Sequence, residues 1–262
     1  MLKKRLIPKL QLKAGRNGLS DRMVLVTTIR FANPITVGDP VSQAKIYEAQ
    51  CADELIFLDL DASQENRRTL RALVMKAAEQ IFMPFTVGGG VREVEDFRTL
   101  LLSGADKVSI NTGAVENPEL IDRAAGAFGR QCVVLSIDYR QEADGAYRVW
   151  TSGGNRRTQL DPVDWACEGE RRGAGEILLT SIDRDGTRQG LDLELTRRVA
   201  QSVSVPVITA GGCGKASHFI DGFTTGRADA VAAGTYFCFK DENPMQTRSQ
   251  IKNAGIPIRQ HR

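Results

Sequence analysis

Asp138 closes the run Ser136-Ile137-Asp138. A carboxyl at the end of an apolar strand is placed to take or give a proton, although the same residue could instead cap a helix or loop. Asp183 and Asp185 punctuate Ser181-Ile182-Asp183-Arg184-Asp185-Gly186-Thr187. Either carboxylate could hold a substrate hydroxyl, or with Gly186 merely stabilise a turn. Four further clusters follow apolar runs: Gly88-Gly89-Gly90, Ser109-Ile110-Asn111-Thr112, Gly211-Gly212 and Gly234-Thr235. Glycine lets a backbone approach an anion closely, and the N–H groups at a following helix start supply donors. Gly89 and Gly90 with Asn111 and Thr112 are therefore expected to form one phosphate cradle, and Gly211 and Gly212 with Gly234 and Thr235 a second. Tight turns also need glycine, so each cluster alone is weak evidence and the pairing carries the reading.

These residues need a scaffold that brings strand ends together. Short apolar runs at 5–12, 54–60, 84–87, 106–110, 132–138, 176–181, 206–210 and 229–233 read as strands. Each is followed by a stretch of helical period, at 40–51, 67–82, 93–103, 118–128, 162–172, 192–202, 216–225 and 244–254. Strands alternating with helices imply a parallel sheet with right-handed crossovers, and eight such units fit a closed (β/α)8 TIM barrel. The chain also repeats itself at a nearly constant offset, from Glu54 to Glu176, from Pro84 to Pro206 and from Ala105-Asp106 to Ala228-Asp229. That implies one domain over residues 1–262, built from two (βα)4 half-barrels at about 1–125 and 126–250. A pseudo-twofold would put the two cradles on opposite sides of the mouth, suited to a phosphorylated small molecule.

Composition narrows the classes. The 262 residues are 42% hydrophobic and 26% charged, enough for a full core. A net charge of +3 argues against a nucleic-acid or membrane surface. No apolar run reaches the roughly 18 residues of a membrane span, and Met1–Leu10 does not read as a signal peptide. Cys51, Cys132, Cys167, Cys213 and Cys238 are scattered, which fits reduced thiols in the cytoplasm and offers no zinc spacing. The two histidines, His218 and His261, leave little for a catalytic triad or a metal site. Neither a metal nor a cofactor is expected.

Three long stretches, Thr86–Arg92, Gly104–Thr112 and Gly173–Thr187, closely resemble the cyclase subunit of imidazole glycerol phosphate synthase. The likeness runs through nearly the whole chain except about residues 14–37. The resemblance implies a cytosolic barrel paired with a class I glutaminase. Ammonia would enter at the bottom of the barrel, cross its core and attack a bisphosphorylated ribulosyl intermediate at the top. It also implies aspartates at the ends of strands 1 and 5. Asp138 matches the second. The first does not match: where the family reads Cys-Leu-Asp-Val-Lys, this chain reads Lys9-Leu10-Gln11-Leu12-Lys13. Gln11 has no proton to exchange at useful pH. Leu19 stands where the family places a loop lysine. An insertion at about 20–37 contains the apolar run Met23–Ile29, which needs cover and reads as an ordered hairpin or an interface.

The barrel floor keeps the family pattern. Arg5, Glu54, Lys107 and Glu176 match the four charged residues that ring the ammonia entrance, and Asp106 matches a glutaminase contact. The bland alternative is a ring that only staples the floor. An intact entrance beside half an acid/base pair resembles the cyclase-like paralogues of bacterial surface-sugar synthesis. There the barrel would pass ammonia to a separate sugar amidotransferase that makes an acetamidino group for lipopolysaccharide. Genuine cyclase activity in histidine biosynthesis and a non-conducting regulator of the glutaminase are the alternatives.

Overall fold

The computed structural model describes residues 3–15, 23–62, 71–239 and 243–259. Leu19, the first residues of the insertion, the start of the expected second helix and residues 260–262, His261 among them, lie outside them. In chain order the strands are β1 (Arg5–Ala14), β2 (Met23–Ile29), β3 (Ala32–Gly38), β4 (Leu55–Asp59), β5 (Phe85–Gly88) and β6 (Lys107–Ile110), then β7 (Val133–Gln141), β8 (Tyr147–Thr151), β9 (Arg156–Arg157), β10 (Glu176–Ser181), β11 (Val207–Ala210) and β12 (Ala230–Ala233). The helices are α1 (Pro40–Ala49), α2 (Arg71–Ala78), α3 (Val94–Leu102), α4 (Thr112–Glu116) and α5 (Glu119–Phe128), then α6 (Pro162–Arg172), α7 (Leu193–Ser202), α8 (Ala216–Thr224), α9 (Thr235–Phe239) and α10 (Pro244–Asn253).

Eight strands pair in parallel in the order β10-β11-β12-β1-β4-β5-β6-β7, and β7 pairs back onto β10, which closes the barrel. All eight coincide with the strands expected from sequence, within a few residues at their ends. Sequence reading missed the short helices α4 and α9 and the β8–β9 excursion. β1 and β7 each outrun the barrel and carry antiparallel strands, β2–β3 on β1 and β8–β9 on β7. From Met23 onward, the expected insertion is thus an ordered hairpin.

The alternation of side chains along a strand decides what faces the axis. On β1, Leu6, Leu10 and Leu12 pack outward with the helices, while Ile7 belongs to a separate interior cluster with Ile56, Val134, Leu178, Ile208, Ala210, Ala230 and Ala232. The same period turns Arg5 down to the floor and Lys9 and Gln11 up to the mouth. Several helices start on an Asx-Pro step. Asp39 and Asp161 cap α1 and α6 through their carboxylates, each followed by proline, whose missing N–H costs nothing there. No described helix is long and apolar enough to cross a membrane.

Candidate functional site

At the N-terminal ends of the strands, the four floor residues form a closed ring. The Arg5 guanidinium donates to Glu54 Oε1 at 2.9 Å and to Glu176 Oε1 at 2.6 Å. Lys107 Nζ donates to Glu54 Oε2 at 3.0 Å and to Glu176 Oε2 at 2.8 Å. Each carboxylate is shared by two cations, so the ring is neutral. Burial opposes the charge on Glu54, but Arg5 and Lys107 outweigh it and hold the carboxyl below its usual range. The ring borders an open recess of about 480 Å³ with Lys3, Asp229 and Arg259 on its rim. Asp106 lies exposed beside it, and its carboxylate accepts from the Phe85 N–H at 2.9 Å. Asp229 does the same for Val207 at 3.1 Å. Phe82, in the connection from α2 to β5, and Leu102, the last residue of α3, are 91% and 82% exposed.

Above the ring the axis is filled by the interior cluster of aliphatic side chains. The next layer up is polar. Asp138 ends the inward face of β7 and accepts from Asn111 Nδ2 at 2.7 Å. Burial pushes its carboxyl up to about 6, and the charge of Asp185 adds to that, while Lys9 and the Asn111 hydrogen bond oppose it. A carboxyl at that value exchanges protons near neutral pH. Asn111, Thr112, Gly89, Gly90, Gln11 and Asp138 all border one mouth cavity of about 80 Å³. The Thr112 hydroxyl also accepts from the Ser152 N–H at 2.9 Å, fixing the β8–β9 turn against this cradle.

The residues of the second expected cradle also lie together. Asp185, Gly186, Gly211, Gly212, Gly234 and Thr235 border a smaller cavity on the other side of the mouth. Of the two carboxylates in this loop, Asp185 is buried and turned inward. Asp183 instead accepts from the Gln141 N–H at 2.9 Å, which ties β7 to the loop after β10. Gly212 has φ +110, and a Cβ there would sit 2.1 Å from Gly190 O, so close backbone approach already demands glycine.

Two features were missed. The first is Lys9, which borders both mouth cavities with its side chain only 2% exposed. Its signal was in the sequence, since the period that turns Gln11 inward turns Lys9 inward as well. The second is the β2–β3 hairpin, which folds across the mouth. Thr28 donates to Asp185 Oδ2 at 2.9 Å and lies 3.2 Å from Gln11 Oε1, while Gln11 Nε2 is 3.4 Å from Asp185 Oδ2. The two turn residues, Arg30 and Phe31, have φ of +54 and +62, the left-handed pair of a two-residue hairpin normally given to Asn-Gly. The Arg30 N–H donates to Asp185 O at 2.8 Å and its Nε to Asp183 O at 3.2 Å, which offsets part of that strain. Phe31 forms a wall of the mouth.

Comparison with known proteins agrees with this architecture. Residues 5–242 match the family described as "Histidine biosynthesis protein". A protein of Prochlorococcus marinus (strain MIT 9313), assigned as imidazole glycerol phosphate synthase subunit hisF2, is 50% identical over 259 residues, 99% of each chain.

Proposed function

The chain belongs to the histidine biosynthesis protein family, of the type of the imidazole glycerol phosphate synthase cyclase subunit, and from that premise we propose that it conveys ammonia from a glutaminase to an acceptor beyond its own mouth. The observation that carries this reading is the contrast between its two ends. The floor holds a complete Arg5–Glu54–Lys107–Glu176 ring. The mouth has Asp138 but the neutral Gln11, bound to Asp185 and Thr28, at the position of the partner carboxylate. Losing one general acid/base group lowers such chemistry by about 10²–10⁴-fold.

The glutaminase docks on the floor face, where Phe82 and Leu102 expose apolar surface beside Asp106 and the ring. Neutral ammonia crosses the aliphatic layer without the desolvation cost an ammonium ion would meet. The acceptor is an N-acetyl sugar on a separate amidotransferase, converted to its acetamidino form for a surface glycan in the cytoplasm. The glycine loops of the mouth hold phosphate. The test mixes barrel, glutaminase and sugar amidotransferase at low free ammonia. Glutamine-dependent amidination should require all three, and equal activity without the barrel refutes the reading.

A second reading, a working cyclase of histidine biosynthesis, draws on Asp138 with its carboxyl near 6. Complementation of a cyclase-deficient histidine auxotroph separates the two, because robust growth supports the cyclase. A non-conducting regulator of the glutaminase would keep activating glutamine hydrolysis when Val134→Trp blocks the axis.

A further inference from the structure

One side of the mouth's rim carries cations that the protein leaves without acids. Arg30 sits in the hairpin turn, Arg184 and Arg188 in the loop after β10, and Lys215 at the start of α8. All four are exposed. Arg30 Nε donates to Asp183 O at 3.2 Å and Arg184 to Gly190 O at 3.3 Å, while the Arg188 guanidinium lies 5.5 Å from the centre of the Phe239 ring. The carboxylates of the same loop are committed elsewhere. Asp185 is buried on Thr28, and Asp183 accepts from the Gln141 N–H and faces Arg140 at 3.8 Å. Other exposed arginines of this chain are closed by a neighbour, as in Arg98–Glu95, Arg156–Glu116 and Arg172–Asp122 at 3.2, 2.8 and 2.7 Å. Among the described residues, no such pair forms to the four rim cations.

The four belong to one patch. A Cβ on Gly212 would lie 3.2 Å from Arg184 Cβ, and one on Gly214 would lie 2.5 Å from Arg188 Cβ, so the loop after β10 rests on the segment that leads into Lys215. On its other flank the loop meets the hairpin, since a Cβ on Gly186 would lie 3.0 Å from Ile29 Cα and the Arg30 N–H donates to Asp185 O at 2.8 Å. Ile29 and Phe239, 47% and 45% exposed, set apolar surface among the charges. Arg30 and Arg188 have φ of +54 and +62, a left-handed backbone that disfavours residues bearing a Cβ. Arginine held at such positions points to a use for its side chain. None of the four cations borders either mouth cavity. A small anion needs a concave site. Like charges spread over three segments, with arginine and an aromatic ring among them, suit the face of another protein.

We propose that this patch, formed by Ile29, Arg30, Arg184, Arg188, Lys215 and Phe239, is the docking surface for the acceptor enzyme, which meets it with a carboxylate-rich face around an apolar centre. This rests on the reading that ammonia leaves for an acceptor beyond the mouth, and it specifies the surface that the acceptor enzyme covers. The patch and the floor ring lie at opposite ends of the barrel, so glutaminase and acceptor enzyme bind together without competing.

Surface plasmon resonance of the full chain, with its glutaminase, against the sugar amidotransferase tests the proposal, with glutamine-dependent amidination at low free ammonia as the second readout. Arg184→Glu/Arg188→Glu should weaken amidotransferase binding at least about tenfold, chiefly through slower association. Added salt should weaken the native complex more than that of the double variant. Phe239→Ser should weaken binding at every salt concentration. Arg197→Glu, which reverses an exposed cation on α7, should leave it unchanged. Glutamine hydrolysis, and amidination fed by an ammonium salt, should be the same with native chain and double variant. Equal amidotransferase affinity in the native chain and the double variant, with amidination intact, overturns the docking surface and leaves ammonia conveyance standing. If native chain supports no glutamine-dependent amidination, the conveyance reading and the proposal fall together. Should the double variant lose binding to phosphatidylglycerol vesicles, or lose self-association, while its amidotransferase affinity holds, the patch serves a membrane or a second copy and the proposal is overturned. If the double variant does not fold, Lys215→Glu decides it, because native affinity in that variant also overturns the proposal.

Discussion

Asp138 illustrates how one residue position sets both chemistry and stability. Its carboxyl is raised from 3.8 to about 6, chiefly by burial. The folded chain therefore holds a proton there that the unfolded chain releases. The resulting cost to stability is absent below the unfolded value, grows as pH rises from about 4 to 6 and is complete above that, at roughly 3 kcal/mol. Asp138→Asn keeps an acceptor for Asn111 and removes the cost. The variant is expected to be more stable than the native chain at pH 8 by roughly 1 to 3 kcal/mol, with the difference closing at pH 4, as read by urea unfolding. An unchanged difference across that range would mean that Asp138 titrates normally. Sequence reading reached Asp138 because it closes an apolar run, and Gln11 because it stands where the family resemblance places an aspartate. It did not reach Thr28, because its partners Gln11 and Asp185 meet it only once the hairpin has folded over the mouth.

At the scale of elements, the barrel strands were legible because each is a short apolar run set between helical stretches. The two excursions differed. Met23–Ile29 was conspicuous as an apolar run needing cover, and it became β2. The β8 strand followed an equally readable sign, since Asp144-Gly145 lies between the alternating residues of β7 and β8. An expectation of one helix after each strand hid it. The β2–β3 hairpin depends on contacts that a substitution can remove singly. Thr28→Val deletes the donor to Asp185 and should loosen the hairpin by about 1.5 to 3 kcal/mol, the range for a hydrogen bond to a charged group. Hydrogen exchange should quicken in β2 and β3, while the amides of β10 to β12 keep their protection. Uniform quickening over the whole barrel would instead mean that Thr28 supports the global fold.

For the molecule as a whole, the question is whether floor and mouth act separately. Arg5 and Gln11 share β1, six residues and therefore about 20 Å apart, with the aliphatic layer of Ile7 between them. Lys107→Met leaves Glu54 and Glu176 facing Arg5 alone, an unbalanced buried charge that should cost about 3 kcal/mol. Glu54 is held below its usual range in the native ring, so the ring's contribution is present above the unfolded value of that carboxyl and is lost as pH falls through the folded one. In Lys107→Met the destabilisation should therefore shrink towards acid pH. Because the two ends share no partner, the double variant Lys107→Met/Thr28→Val should show the sum of the single effects within about 0.5 kcal/mol. Additivity in urea unfolding would describe a barrel whose floor can stay committed to one task while the mouth takes on another. A larger coupling would mean that the closure of the hairpin is felt at the ring, and that the two ends cannot be altered independently.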